Sequence, residues 1–291
     1  MYDFEYHRPS SLAEAARLLS GSEDAKLLAG GQTYIPTLKQ RLAKPTAVID
    51  LNGVAELRGI KEEGGGLTIG AMTTHGEVER SDLVKRVIPA LAEIAHLIGD
   101  PAVRSRGTIG GSISNNDPAA DYPGAVLALG GTVRTDRREI AGDDFFLGMF
   151  ETALEADEIV TAVHFPRPER AKYMKFRHPA SRYAMAGVLV ARLSGGGAVR
   201  VAVTGAGPCA FRHAGLEEAL SRSFTPGAVE GVAIDPRDLN GDIHGSPEYR
   251  AHLVQVMARR AVEAQRFWAE HVARVRKIEK RIEGVMGSVG G

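Results

Sequence analysis

Two short glycine-rich segments offer the most chemistry in this sequence: Ala29-Gly30-Gly31-Gln32-Thr33 and Gly107-Thr108-Ile109-Gly110-Gly111-Ser112. Each follows an apolar segment and sets paired glycines beside a hydroxyl residue. Glycine lets a backbone approach a ligand closely and take positive φ, so consecutive N–H groups can converge on an anion. Thr33, Thr108 and Ser112 add hydroxyl donors, and a helix starting near Tyr34 would turn its first amides toward the same charge. Two such loops on opposite sides suit a pyrophosphate, whose acceptor oxygens outnumber the donors of one loop. Paired glycines also make plain turns, so neither loop is decisive alone.

A third glycine cluster, Gly205-Ala206-Gly207-Pro208-Cys209-Ala210, follows the apolar run Val201 to Thr204 and superficially matches G-x-G-x-x-A, with Glu230 downstream. A dinucleotide fingerprint also needs a βαβ unit with a parallel second strand. The region after Ala210 reads as helical and is broken by Pro226-Gly227, so this cluster is expected to be a decoy.

The elements that must position the two loops can be read from periodicity and punctuation. Ser10 or Ser11 caps a helix through Leu19. Lys26 to Ala29 and Ala47 to Leu51 read as strands around a helix from Tyr34 to Leu42. A strand over Leu67 to Ala71 follows the turn Gly64-Gly65-Gly66. One helix is expected over Leu83 to Ile98 and another over Asp117 to Leu129. A strand from Glu158 closes at Pro166 and Pro168, the expected domain boundary. Beyond it come three strands (Tyr173 to Arg177, Gly187 to Leu193, Val199 to Thr204) and then helices near Arg212 to Leu220, Pro226 to Ala233 and Pro247 to Trp268. Strands followed by helices suggest an α+β module.

Bulk composition narrows the function classes. The 291 residues are 44% hydrophobic and 25% charged, as in an ordinary globular protein. The 36 basic and 36 acidic residues cancel, so no global field favours nucleic acid or an anionic membrane. The single cysteine, Cys209, rules out an internal disulfide framework or a complete all-cysteine iron–sulfur cluster in this chain, and it fits a reducing cytoplasm. The first residues lack a basic stretch followed by an apolar one, so no signal peptide is expected. No run approaches the roughly 18 to 20 apolar residues of a membrane span.

In their order and spacing the two loops resemble those of the medium, FAD-binding subunit of carbon monoxide dehydrogenase and related molybdenum hydroxylases; the xanthine dehydrogenase flavin domain shares the same core. Ala29 to Thr33, with Ile35-Pro36 and Lys39 after it, matches the family's A-G-G-[HQN]-[ST] motif, and Gly107 to Ser112 matches G-T-I-G-G-[SN]. Asp117-Pro118-Ala119-Ala120-Asp121-Tyr122-Pro123 matches D-P-x-x-D-x-P. The stretch from Lys175 through His178-Pro179-Ala180-Ser181-Arg182-Tyr183-Ala184 matches the start of the family's C-terminal domain, and Asn240 to Arg250 its closing segment. The match spans about residues 2 to 268.

The resemblance implies an α+β chain: a two-part FAD-binding domain of the vanillyl-alcohol-oxidase (PCMH) type over residues 1–167, then a small α+β flavoprotein domain over 168–270, with 271–291 as an extension. Ala29, Gly30, Gly31, Gln32 and Thr33, with Thr108, Ile109, Gly110, Gly111 and Ser112, would hold the pyrophosphate of FAD. Asp121 would make a polar contact to the cofactor, and Ile98 and Val160 would pack near the flavin or adenine. Lys175 and Tyr183 match positions close to the isoalloxazine. An ammonium there would raise the flavin potential by stabilising negative charge near N1, and a tyrosine ring can stack on the flavin. A solvent-exposed lysine and a core tyrosine are the ordinary alternatives. Gln32 stands where histidine is frequent, and no covalent flavin link is indicated.

The function so implied is an electron-transfer subunit with no catalytic residue or metal ligand of its own. A large subunit with the molybdenum cofactor would oxidise the substrate, a small [2Fe–2S] subunit would pass electrons to this FAD, and an external acceptor would take them, in a dimer of heterotrimers. An autonomous FAD-dependent oxidase or reductase with its own substrate pocket is the alternative, and an accessory protein without FAD a third. Carbon monoxide, a purine, an N-heterocycle and an aldehyde all remain open as primary substrates, as do quinone, oxygen and NAD as acceptors. Beyond the family match, Val272, Val275, Ile278, Ile282 and Val285 recur at helical spacing among basic residues. Such a stripe would dock on a partner or an anionic membrane surface, or pack on this subunit.

Overall fold

The computed structural model describes residues 1–266, so the expectations for Trp268 and for the extension 271–291 lie outside the described residues. Ser11 caps the first helix, Leu12–Ser20, by accepting from the Glu14 amide at 3.2 Å. A small parallel sheet follows, with Ala47–Asp50 between Glu5–His7 and Lys26–Leu28. Its central strand is buried throughout, as a parallel strand covered on both faces must be.

A five-stranded antiparallel sheet comes next, in the order Ile60–Glu63, Gly66–Gly70, Val160–Pro166, Thr132–Thr135 and Glu139–Ala141. The helices between Gly70 and Thr132 pack on it in one apolar core that includes Leu67, Ile69, Leu91, Ile94, Tyr122 and Phe165. The helix expected over Leu83 to Ile98 is two helices, Asp82–Val87 and Pro89–His96. Pro89 has no N–H to continue the first, and Ile88 turns out of helical geometry at φ −139°. The helix expected from Asp117 starts at Asp121 and ends at Ala128, with every residue buried.

Between Pro166 and Pro168 the chain leaves this sheet and enters a four-stranded antiparallel one: Pro168–Arg177, Ala184–Leu193, Val199–Thr204 and Phe211–Arg212. Strand alternation divides its residues between two cores. Leu189, Ala191 and Ala202 join the core of the first part, and Val188, Val190, Val201 and Val203 form a second core with Leu216, Val229, Val254 and Met257. Helices Ala214–Arg222 and Pro226–Glu230 and the helical residues 247–266 supply that second layer. Burial on both faces explains why Ala184 to Ala191 carries no polar residue.

The decoy glycines sit at the end of this sheet. Gly205 takes φ +81°, and the strands flanking this cluster are antiparallel, so among the described residues no βαβ unit is built around it for a nicotinamide site.

One buried carboxylate ties the five-stranded sheet together. The Glu158 side chain is fully buried and accepts from Arg138 Nη2 at 2.8 Å, Thr135 Oγ1 at 2.8 Å and the Glu155 amide at 3.0 Å. The Arg138 guanidinium is the main reason that its carboxyl is held down to about 2. A depressed carboxylate contributes stability above its unfolded value of about 4.3, and that contribution is lost as pH falls through the folded one. Arg138→Met should therefore lower the melting temperature by a few degrees at pH 7, with the deficit shrinking as pH falls from about 4 toward 2. Thermal melts monitored by circular dichroism test this, and a deficit that is constant with pH would refute it.

Candidate functional site

The strand Lys26–Leu28 delivers the chain to the first glycine loop, and the helix Tyr34–Lys39 takes it away. Gly31 takes φ +75° there, a conformation that L side chains rarely adopt. The consecutive amides of Gly30, Gly31, Gln32 and Thr33 find no acceptor among the described residues, and Thr33 makes no side-chain cap on its helix. Unpaired donors in a run, next to an uncapped helix start, favour an anion. Asn52 fixes the loop from behind, donating Nδ2–H to the Ala29 carbonyl at 3.1 Å.

The second glycine segment works differently from expectation. Thr108 caps a short helix, Ile109–Asn115, so Gly110 and Gly111 lie in its first turn and not in a free loop. Their amides are already used: Gly110 N–H donates to Ala71 O at 2.9 Å and Gly111 N–H to Thr108 Oγ1 at 3.1 Å. Ile109 and Ser112 likewise donate to Thr73 O and Thr108 O. What the segment supplies is shape. A Cβ on Gly110 would stand 2.5 Å from Ala71 Cβ, so that glycine serves close helix–strand packing. A Cβ on Gly111 would stand 3.3 Å from Ala29 Cβ, and one on Gly30 only 2.2 Å from Arg106 O. The two loops therefore touch backbone to backbone, and glycine is required where they do.

Between and beyond them runs a cleft of about 970 Å³, at the upper end of the range for ligand pockets. Every residue of the two loops except Ile109 lines it, together with Ile98, Asp121, Val160, Lys175 and Tyr183. Ile109 is wholly buried in the core beneath.

Farther along the cleft the four-stranded sheet meets the helix Asp121–Ala128. The Lys175 ammonium, with only 2% of its side chain exposed, donates to Asp121 Oδ2 at 2.8 Å and to the Leu97 carbonyl at 3.2 Å. Tyr173 Oη–H donates to Asp121 Oδ1. Both carboxylate oxygens of Asp121 are thus engaged within the protein, whereas a cofactor contact was expected of them. Burial pushes the Asp121 carboxyl up, with Lys175 and Tyr173 pulling against it. Tyr183 stands about half exposed on the wall, at the end of a turn in which Arg182 has φ +63°.

Two wall residues escaped the sequence reading. His75 is 5% exposed, its Nδ1 has no partner among the described residues, and burial, aided by the charge of Arg104, holds its ring down to about 4. It is therefore a neutral imidazole at neutral pH. The signal was available: Thr74 and Glu77 form a capping box, which marks a helix start at His75. Tyr34 lines the cleft with a buried hydroxyl that also lacks a partner among the described residues.

Taken together, a cleft of about 970 Å³, a run of unpaired amides, orphaned polar atoms of Tyr34 and His75, and a buried lysine along the wall fit a dinucleotide such as FAD. The unpaired amides lie in the same cleft as the apolar residues Ile98 and Val160.

Comparison with known proteins agrees with this geometry. The family model described as the FAD binding domain in molybdopterin dehydrogenase matches residues 2–168. The carbon monoxide dehydrogenase medium chain of Hydrogenophaga pseudoflava is 37% identical over 284 residues, covering 91% of this chain and 97% of that one. The nicotine 6-hydroxylase medium subunit of Paenarthrobacter nicotinovorans is 38% identical, covering 88% of this chain and 95% of its own. A solved structure of carbon monoxide dehydrogenase from Hydrogenophaga pseudoflava, in a form lacking the Mo-pyranopterin moiety, superposes with a TM-score of 0.82 at 36% identity, covering 90% and 96% of the two chains. This chain belongs to the FAD-binding family of the molybdenum-containing dehydrogenases, an oxidoreductase component whose cofactor is FAD.

Proposed function

We propose that this chain is the flavin-carrying electron-transfer subunit of a carbon monoxide dehydrogenase-like molybdenum hydroxylase. Electrons would reach it from the [2Fe–2S] clusters of a small subunit, after a large molybdenum subunit has oxidised the substrate, and would leave to an external acceptor. The observation that carries the reading is the pairing, in one cleft, of the unpaired Gly30–Thr33 amides with the buried Lys175 farther along it. Bound FAD supplies the redox chemistry.

The chain's own residues bind and orient it. Ala29 to Thr33 donate to the pyrophosphate, and Thr108 to Ser112 shape its seat. Ile109 supports that seat from the core. Ile98 and Val160 pack on the ring systems, and Lys175 and Tyr183 stand at the isoalloxazine, with Asp121 acting through Lys175. Residues 1–167 form the FAD-binding domain and 168–270 the small flavoprotein domain. The shift from one sheet to another between Pro166 and Pro168 supports that division. An autonomous oxidase is the weaker reading, because the region after residue 167 is occupied by a sheet buried on both faces. A dimer of heterotrimers is the assembly we propose, in the cytoplasm. Among the described residues no helix is long and apolar enough to cross a membrane.

The purified protein should carry one FAD per chain, held without a covalent bond, and acid precipitation should release all the yellow colour into the supernatant. Colour retained in the pellet overturns the non-covalent assignment. Pull-down of the native complex should bring down a molybdenum-containing chain and an iron–sulfur chain; recovery of this chain alone, with substrate-oxidising activity, would favour the oxidase.

A further inference from the structure

The imidazoles of His178 and His244 meet near the rim of the cleft, with Nε2 of the first 3.1 Å from Nδ1 of the second and ring centroids 4.3 Å apart. His178 Nδ1 already accepts from the amides of Ala180 and Ser181, at 3.3 and 3.2 Å. Backbone amides are donors only, so that nitrogen must keep its lone pair, and the ring proton of His178 sits on Nε2. Nε2–H then donates to His244 Nδ1, and His244 carries its own proton on Nε2. This neutral tautomer pair is the one arrangement that satisfies all three contacts.

One side of the contact is anchored and the other is a turn. Asp242 Oδ1 accepts from the amides of His244 and Gly245 at 2.9 and 3.1 Å, and Asp242 Oδ2 accepts from Arg250 Nη2 at 2.7 Å. The buried Arg250 also donates to the carbonyls of Met185 and Gly205, at 2.8 Å each. On the other side, residues 178–183 close a turn through His178 N–H to Tyr183 O at 2.8 Å and Arg182 N–H to His178 O at 2.9 Å. Ala180, Ser181, Arg182 and Tyr183 of that turn line the cleft.

We propose that the His178–His244 pair is a proton-sensitive latch that positions Tyr183 at the mouth of the cleft, closed while both rings are neutral and released when either takes a proton. The inference rests on the reading that Tyr183 lies over the flavin. A proton added to His244 puts an N–H on Nδ1, facing the N–H of His178. A proton added to His178 puts an N–H on Nδ1, facing two amide donors. Either way a hydrogen bond becomes a donor–donor contact, and a second proton would add repulsion between two charged rings. The other ionisable residues on the elements that meet here are Arg177, Arg182, Tyr183, Asp242, Glu248, Tyr249 and Arg250, with Asp117 acting on Tyr183 across the mouth. On the anchored side Asp242 is committed to Arg250, and the Glu248 carboxylate accepts from Ser246. The same tautomer argument excludes a chelated metal, because metal-bound His178 would need its N–H on Nδ1, against the amides.

The test uses the FAD-loaded full chain and the recovery of free-flavin fluorescence after dilution, at pH 8 and at pH 5.5. Wild type should release FAD about three- to ten-fold faster at pH 5.5, the worth of one or two hydrogen bonds. His244→Asn puts an amide oxygen where Nδ1 stood, still accepts from His178 and itself takes no proton, so its release should be as slow as wild type at pH 8 and rise less than wild type at pH 5.5, with only His178 left to protonate. Tyr183→Ala should release fast at both. A flat wild-type profile, or a His244→Asn profile as steep as wild type, overturns the latch and leaves the cleft reading intact provided Tyr183→Ala is fast. Tyr183→Ala that matches wild type at pH 8 removes Tyr183 from the flavin, and the latch falls with it.

Discussion

Gly30→Ala should cost the protein its FAD, raising the dissociation constant by about 100-fold or more, equivalent to about 2.7 kcal/mol. A single methyl is enough because its Cβ would stand 2.2 Å from Arg106 O and 2.7 Å from Gly107 Cα. Those atoms are backbone, so nothing can rotate aside, and the two loops must part by about an ångström or more to reach van der Waals separation. Parting them moves the Gly30–Thr33 amides away from whatever the second segment holds in place. The apoprotein should still fold, since overpacking costs about 1–3 kcal/mol and this contact lies at the cleft and not in the main core. Gly196→Ala is the control: no atom comes within 4 Å of a Cβ there, and FAD content should be unchanged. Flavin absorbance of the purified variants, checked by titration of apoprotein with FAD, decides the matter. A Gly30→Ala protein that folds and binds FAD as tightly as wild type would mean that the contact between the loops does not shape the site.

The sequence made this site legible to different depths. Glycine pairs beside hydroxyl residues marked both segments, and the first behaves as read: Gly31 at positive φ and donors without acceptors. The second was read as a loop because Gly110-Gly111 looks like a turn. In fact Thr108 caps a helix there, Gly110 answers to the backbone and Cβ of Ala71, and Gly111 stands against the side chains of Thr108 and Ala29. Local sequence cannot report such contacts, because Ala71 and Ala29 are distant in the chain. The split at Pro89 was readable from proline's missing N–H, yet the apolar period from Leu83 onward masked it. Strands Glu5–His7, Thr132–Thr135 and Glu139–Ala141 were too short and too polar to stand out, being held by pairing partners. Most instructive is Lys175. Its place by the cleft was read through a motif, but its partner Asp121 lies 54 residues away, and a contact of that range carries no local signature.

That partner changes what Lys175→Met should do. Wild-type Lys175 and Asp121 form a buried pair, so methionine leaves the carboxyl with Tyr173 as its one remaining side-chain partner. Breaking such a pair costs about 3–5 kcal/mol when the orphan stays charged. Burial already pushes the Asp121 carboxyl up, and Lys175 is the first of the groups pulling it back, so its loss raises that carboxyl further. A group whose folded value is raised contributes its stability below the unfolded carboxylate range and loses it as pH rises through the folded value. The melting deficit of Lys175→Met should therefore be small near pH 5 and grow toward pH 8.5, and Asp121→Asn added to it should remove most of the growth. The flavin midpoint potential should follow the same charge. At low pH, where the variant's Asp121 is protonated, the pair is neutral in both proteins and the potentials should lie close together. As Asp121 ionises without its counter-charge, negative potential builds beside the cleft, and the variant's midpoint should fall further below wild type. Redox titrations at several pH values, read against the melts, separate the possibilities. A deficit independent of pH and an unchanged potential would show that Lys175 packs as a stem whose charge is felt neither by Asp121 nor by the flavin.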